Sequence, residues 1–171
     1  MSTTQGRCLC GAVEYEVEGP LRPVVYCHCR MCRRTSGHFV AATACAVATL
    51  RIKSAKGLRW YASSAEAERG FCAVCGSNLF WRPASGTHVS IMAGTLDTTA
   101  GLDSAAHIFV GAKGDYYELN DELPKHRAGA VLIPIPTRSR AKSGLSTSIK
   151  GIAAKKRARV PATAHAGKSR R

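Results

Sequence analysis

Neither a leader nor a membrane span is expected from the sequence. Residues 1–7, Met1-Ser-Thr-Thr-Gln-Gly-Arg7, have no apolar run behind a basic one, the pattern of a secretory signal. The longest largely apolar stretch, Phe39 to Leu50, has twelve residues, two of them threonine. A spanning helix takes about 20. A soluble, cytoplasmic protein with no membrane association is therefore expected. Acidic residues are missing from 128 to the end, and so are aromatic ones. Those last 44 residues carry 11 Lys and Arg, a net +11 of the chain's +14, whereas residues 1–127 carry 14 Lys and Arg against 11 Asp and Glu. The basic character therefore belongs to the tail. A run of Ala, Lys, Arg, Ser, Thr and Gly buries too little apolar area to offset its ordering entropy. The chain reads as one domain, 1–127, with a flexible basic appendage, 128–171. The cluster Lys155-Lys-Arg-Ala-Arg159 would attract phosphates without sequence preference. Without aromatic side chains the tail has nothing on which bases could stack. Long amphipathic helices and repeats with a period of 20 to 50 residues are also missing, which excludes helical bundles and solenoids.

What the sequence does have is cysteine, eight of them in 171 residues. In a reducing cytosol that count points to metal or catalysis rather than disulfides. Seven fall into short-spaced groups. Cys27, Cys29 and Cys32 form C-x-C-x-x-C, Cys8 and Cys10 form C-x-C, and Cys72 and Cys75 form C-x-x-C. Neighbours that close bridge poorly to each other and chelate well. Three thiolates at the first spacing can close round one ion at Zn–S distances of about 2.3 Å. Two zinc sites per chain are expected: a closed one assembled from Cys8, Cys10, Cys72 and Cys75, and a partly open one at Cys27, Cys29 and Cys32. A saturated four-thiolate zinc is inert and ties segments together. A three-thiolate zinc keeps one position for a ligand, unless His28, His38 or Cys45 fills it and makes the second site structural too. His28 is an awkward ligand, since an extended chain points it away from its two neighbours. Cys45 sits in an apolar stretch and reads as a small buried hydrophobe. His107 reads as packed or hydrogen-bonded, and Trp60 and Trp81 as core.

Apolar alternation predicts a mainly β domain. Val13, Tyr15 and Val17 alternate with Glu14, Glu16 and Glu18, and Gly19-Pro20 ends that strand. Further strands are expected at Val24–Tyr26, Phe39–Val47, Leu50–Lys53, Leu58–Tyr61, Leu79–Trp81, Val89–Met92, His107–Val110 and Tyr116–Leu119. Gly6 to Gly11 reads as a tight loop, Arg30 to Gly37 as a turn or single helical turn, and Cys72 to Gly76 as a zinc-knuckle-like turn.

Five motifs occur in order: Gly6-Arg-Cys-Leu-Cys-Gly-Ala-Val13, Cys27-His-Cys-Arg-Met-Cys-Arg-Arg-Thr-Ser-Gly37, Phe71-Cys-Ala-Val-Cys-Gly-Ser-Asn-Leu79, Ala93-Gly-Thr-Leu-Asp97 and His107-Ile-Phe109. Together, over about residues 5–126, they resemble the family of glutathione-dependent formaldehyde-activating enzymes, which also contains centromere protein V. The resemblance implies a β-tent-like fold of short antiparallel sheets held by zinc. It implies a structural zinc on Cys8, Cys10, Cys72 and Cys75, and a catalytic one on Cys27, Cys29 and Cys32. It also implies a carbon–sulfur lyase-type enzyme that joins formaldehyde to glutathione as S-hydroxymethylglutathione. Arg30, Arg33 and Arg34 flank the open site and suit the two carboxylates of glutathione. Gly114-Asp-Tyr-Tyr117 stands where a tryptophan is common in the family, and the tail has no counterpart there. The competing expectation is a non-catalytic zinc module that associates with nucleic acid through its tail.

Overall fold

The alternation of Val13, Tyr15 and Val17 puts three apolar side chains on one face of a strand, and all three are buried. That face organises the core. The computed structural model describes residues 2–129 and 133–135, which lie in one compact unit, and the basic cluster 155–159 lies outside the described residues. Strand β1 (Thr3–Arg7) pairs antiparallel with β2 (Val13–Glu18). Strand β3 (Val24–Cys27) leads into helix α1 (Arg30–Ser36), followed by β4 (Val40–Ala46) and β5 (Leu50–Ala55). Then come β6 (Leu58–Ser64), β7 (Ala67–Cys72), β8 (Asn78–Pro83), β9 (His88–Met92), β10 (Ser104–Ile108) and β11 (Lys125–His126). Among the described residues these strands make a three-stranded sheet, β1-β2-β5, and an eight-stranded sheet, β11-β10-β3-β4-β9-β8-β7-β6. The expected mainly β class and short sheets are observed. One detail differs: β10 runs parallel to both β3 and β11, so the larger sheet is mixed.

The inner face of β2 packs against β8 and β9. Tyr15 meets Phe80 edge-on at 5.0 Å between ring centroids, and Leu79, Val89 and Ile91 complete the cluster. Leu79 sits at an irregularity in the β7–β8 pairing and stays in the core beside Phe80; beyond it side chains alternate, so Trp81, Ser90 and Met92 face the other way. Residues paired across the strands then share that second face: Arg69 with Trp81, Trp81 with Ser90, Met92 with Ala42, and Ala42 with Val25. One face of the large sheet thus builds the core, and the other carries the cavity described below.

The Tyr15 hydroxyl lies 2.6 Å from Thr95 Oγ1, which itself donates to the Met92 carbonyl at 2.7 Å. With the Thr95 proton committed, Tyr15 must be the donor. Tyr15→Phe removes that donor and leaves only a lone pair unmatched, so we expect a loss of about 1 kcal/mol in urea unfolding.

Three sequence expectations change. Tyr116–Leu119 is not a strand: Tyr117 turns toward His28 and His38, and Tyr116 lies exposed against His38, instead of pairing with a neighbouring strand. The loop expected from Gly6 starts later, since Gly6 and Arg7 still belong to β1. His107 and Ile108 end β10, and Phe109 breaks it by taking a left-handed conformation at φ 57°, uncommon for a bulky residue. Among the described residues no helix is long and apolar enough to cross a membrane.

Candidate metal centres

The first cysteine group forms where two turns meet. Cys8 and Cys10 lie in the loop between β1 and β2, held by Cys8 N–H to the Val13 carbonyl and Gly11 N–H to the Cys8 carbonyl. Cys72 ends β7, and its carbonyl accepts from Gly76 N–H across the knuckle turn at 2.8 Å. The loops are stitched by Leu9 N–H donating to Ser77 Oγ at 3.0 Å. Cys8 Sγ is 3.6 Å from Cys10 Sγ, and Cys10 Sγ is 3.9 Å from Cys72 Sγ. Zn–S bonds of about 2.3 Å in a tetrahedron place sulfurs about 3.8 Å apart. The donor set therefore fits a tetrahedral ion. The Ser77 hydroxyl, then its backbone N–H, draws the Cys75 thiol down to about 5, favouring the thiolate that a metal requires. Gly57 sits so close that a Cβ there would lie 2.7 Å from Cys72 Sγ, so the turn before β6 admits only glycine beside this cluster.

The second group is built by the end of one strand and the start of one helix. Cys27 is the last residue of β3, Cys29 is the N-cap of α1, and Cys32 lies in its first turn. Cys29 Sγ accepts from Cys32 N–H at 3.4 Å. The stop at Gly37 is a left-handed cap at φ 77°, whose N–H returns to the Arg33 carbonyl. The three sulfurs lie within 4.8 Å of one another. Hydrogen bonds from Cys27 and then Cys32 pull Cys29 down to about 2, while Cys27 is pushed up by the same contact with Cys29. The three thiols thus compete for protons at close range, an arrangement that a soft divalent ion would replace.

No fourth sulfur, imidazole or carboxylate joins this triad among the described residues. Cys45 is buried in the other core cluster. His28 is fully buried and turned away, as extended backbone dictates. Its Nδ1 meets the Tyr117 hydroxyl at 2.5 Å, and its Nε2 meets His107 Nδ1 at 2.8 Å. His107 Nε2 lies 2.8 Å from Asp121 Oδ2. The hydrogen bond from His107 holds the Asp121 carboxyl below its ordinary value, so this oxygen accepts. The protons then order as a chain: Tyr117 donates to His28, His28 to His107, and His107 to Asp121. Burial, then the neighbouring His107, lowers His28 to about 4, consistent with a single ring proton. This chain clamps the backbone between Cys27 and Cys29. We expect His107→Phe to weaken metal retention at the second cluster about tenfold, read by chelator competition, with little effect on the first.

The triad opens into a cavity of about 720 Å³ on the outer face of the large sheet. Trp81, Val40, Met92 and Ile108 supply apolar wall, and Arg22, Arg69 and His88 supply cationic or polar groups. Ile133, Pro134 and Ile135, from the region read as tail, also line it. Arg69 is 5% exposed, and its Nη2 lies 3.8 Å from Cys32 Sγ. Arg30 and Arg34 are exposed on α1 and Arg33 is half-buried; none of the three lines the cavity. Trp81, expected in the core, forms cavity wall, whereas Trp60 stacks on Phe80 at 6.0 Å beneath the Arg82 guanidinium.

The profile of the glutathione-dependent formaldehyde-activating enzyme matches residues 3–112. The chain belongs to that family. The matched range contains all seven clustered cysteines, so both groups are part of the family domain. A solved structure of a Rhodobacter sphaeroides protein is similar at 28% identity, covering 57% of this chain and 91% of that one with a TM-score of 0.46. No curated protein matches significantly. Membership of the formaldehyde-activating family connects the chain with glutathione-dependent activation of formaldehyde.

Proposed function

We propose that the chain is a zinc-dependent carbon–sulfur lyase-type enzyme that joins a thiol, glutathione in the family's reaction, to an aldehyde. The observation that carries this reading is the contrast between the two clusters. Four sulfurs surround one site, and three surround the other, which faces a cavity able to admit a small molecule. Zinc bound at Cys27, Cys29 and Cys32 would supply a fourth coordination position that lowers a thiol's pKa or polarises a carbonyl. The chain's own residues do the rest. Arg69 lies against Cys32 and offsets the negative charge of the thiolates. The apolar walls exclude water and hold the two reactants together, which is where much of the rate of a bimolecular addition can be gained. In the addition the sulfur–carbon bond forms, the carbonyl π bond breaks, and the thiol proton ends on the new hydroxyl oxygen. Arg30, Arg33 and Arg34 would meet the glutathione carboxylates at the cavity's outer side, beyond its lining.

The test is thiol-dependent loss of free formaldehyde, followed by NMR with the zinc-loaded full chain. Formation of the hydroxymethyl thioether faster than in buffer is the expected result. A rate equal to that in buffer, with two zincs bound, would contradict the reading.

A further inference from the structure

Formaldehyde has two heavy atoms, and the cavity beside the triad holds about 720 Å³. Pockets of this size enclose ligands of ring size and above. A one-carbon aldehyde is itself too small to cover the side chains of Trp81, Met92 and Ile108.

The charges in the cavity are equally uneven. Its lining contains Arg22 and Arg69 and no aspartate or glutamate. Neither arginine has a carboxylate partner among the described residues: Arg22 Nη2 donates to the Ala42 carbonyl at 3.0 Å, Arg69 Nη2 approaches Cys32, and the Nε of each is buried without a partner. Burial pushes the Arg22 guanidinium below its ordinary value, and His88 is lowered first by burial and then by the charge of Arg22. Buried donors of this kind are costly unless something accepts from them. Three thiolates round a divalent ion leave one net negative charge, and Arg69 lies where it cancels that charge. Arg22 then remains as one uncompensated cation in an apolar chamber. Its position is well fixed: its backbone N–H donates to the Ala44 carbonyl at 2.9 Å, and its own carbonyl accepts from the Thr43 hydroxyl.

We propose that the aldehyde taken by this cavity is an amphipathic monoanion, with an apolar body of about ring size against Trp81 and Met92 and one carboxylate-like group on Arg22. This rests on the reading of the triad as the reacting centre. The apolar body excludes water from the site, and the single anion orients the molecule so that its carbonyl lies toward Cys27, Cys29 and Cys32. A small anion alone would gain the arginine and forgo the walls, and a neutral ring would do the opposite.

The test is calorimetric binding to the zinc-loaded full chain, without thiol and therefore without turnover. The probes are formaldehyde, glyoxylate, benzaldehyde, and 3- and 4-formylbenzoate. One of the formylbenzoates is expected to bind about tenfold or more tightly than either benzaldehyde or glyoxylate, since each of those keeps only half of the contacts. Arg22→Met is expected to remove the advantage of formylbenzoate over benzaldehyde while zinc content stays at the unmodified value. Trp81→Ala is expected to weaken benzaldehyde and the tighter formylbenzoate about equally and to leave glyoxylate unchanged, which keeps the proposal testable if Arg22→Met fails to fold. Equal affinity for all five probes, or formylbenzoate no tighter than benzaldehyde, would overturn the proposal. Tight formylbenzoate binding with no thiol addition in the NMR assay would leave this pocket standing and remove the enzymatic reading. Formaldehyde turnover without formylbenzoate binding would do the reverse.

Discussion

Replacing Cys72 by serine is expected to unfold most of the chain at 37 °C. Cys72 is fully buried, belongs to the main core cluster and sits against Gly57. Its sulfur lies 3.9 Å from Cys10 Sγ, a partner 62 residues away in sequence. A metal bound there joins the β1–β2 loop to the end of β7, and the free energy of binding is free energy of folding. Serine brings a harder donor at a shorter reach and places a hydroxyl among apolar neighbours. The combined loss should exceed about 4 kcal/mol, a large share of a small domain's stability. Circular dichroism melting and zinc content read the result together. We expect one zinc fewer per chain and a broad, early transition. Unchanged melting would show that the four-cysteine cluster contributes nothing to folding.

Cys29→Ser should behave in the opposite way. Cys29 is only half-buried and caps α1, and serine is itself a preferred N-cap, so the helix keeps its start. The substitution therefore removes a metal ligand without removing the local structure. We expect melting within a few degrees of the unmodified chain, loss of the second zinc, and a fall in thiol-dependent aldehyde consumption of at least about 100-fold. Retained activity with only one zinc bound would remove the metal from the proposed chemistry.

Why were the cysteines legible in the sequence when the arginines of the cavity were not? Chelation by adjacent residues imposes short spacings, so Cys27, Cys29 and Cys32 announce themselves locally. Pairing Cys8 and Cys10 with Cys72 and Cys75 needed only the need of each half-site for two more donors. Alternation exposed β2, since Val13, Tyr15 and Val17 are interrupted by three glutamates. Arg69 carries no such mark. It reaches the cavity because β7 pairs with β8 in a register that sets Arg69 beside Trp81, and a one-residue slip would turn it to the other face. The chain Tyr117, His28, His107 and Asp121 likewise depends on β10 lying parallel to β3, a pairing between segments about 80 residues apart that no local pattern encodes. Tyr116–Leu119 looked like a strand because two aromatics and a leucine satisfy the composition rule. The tyrosines are instead taken up by His28 and His38. Gly6 and Arg7 looked like loop because they adjoin Cys8, yet β1 continues through both by pairing with Tyr15 and Glu14.

On the proposed reading one metal site is closed and the other is open to a thiol from the cavity. X-ray absorption at the zinc edge tests it most directly, on the full chain loaded with two zincs. We expect about 3.5 sulfurs per zinc on average, rising to about 4 when excess glutathione is added, as the three-cysteine site gains a fourth sulfur. The rise should vanish in Cys29→Ser. An average of 4 before any thiol is added would mean that both sites are closed, and 3.5 that glutathione leaves unchanged would mean that the thiol does not reach the metal; either result would rule out an open, thiol-binding zinc at Cys27, Cys29 and Cys32.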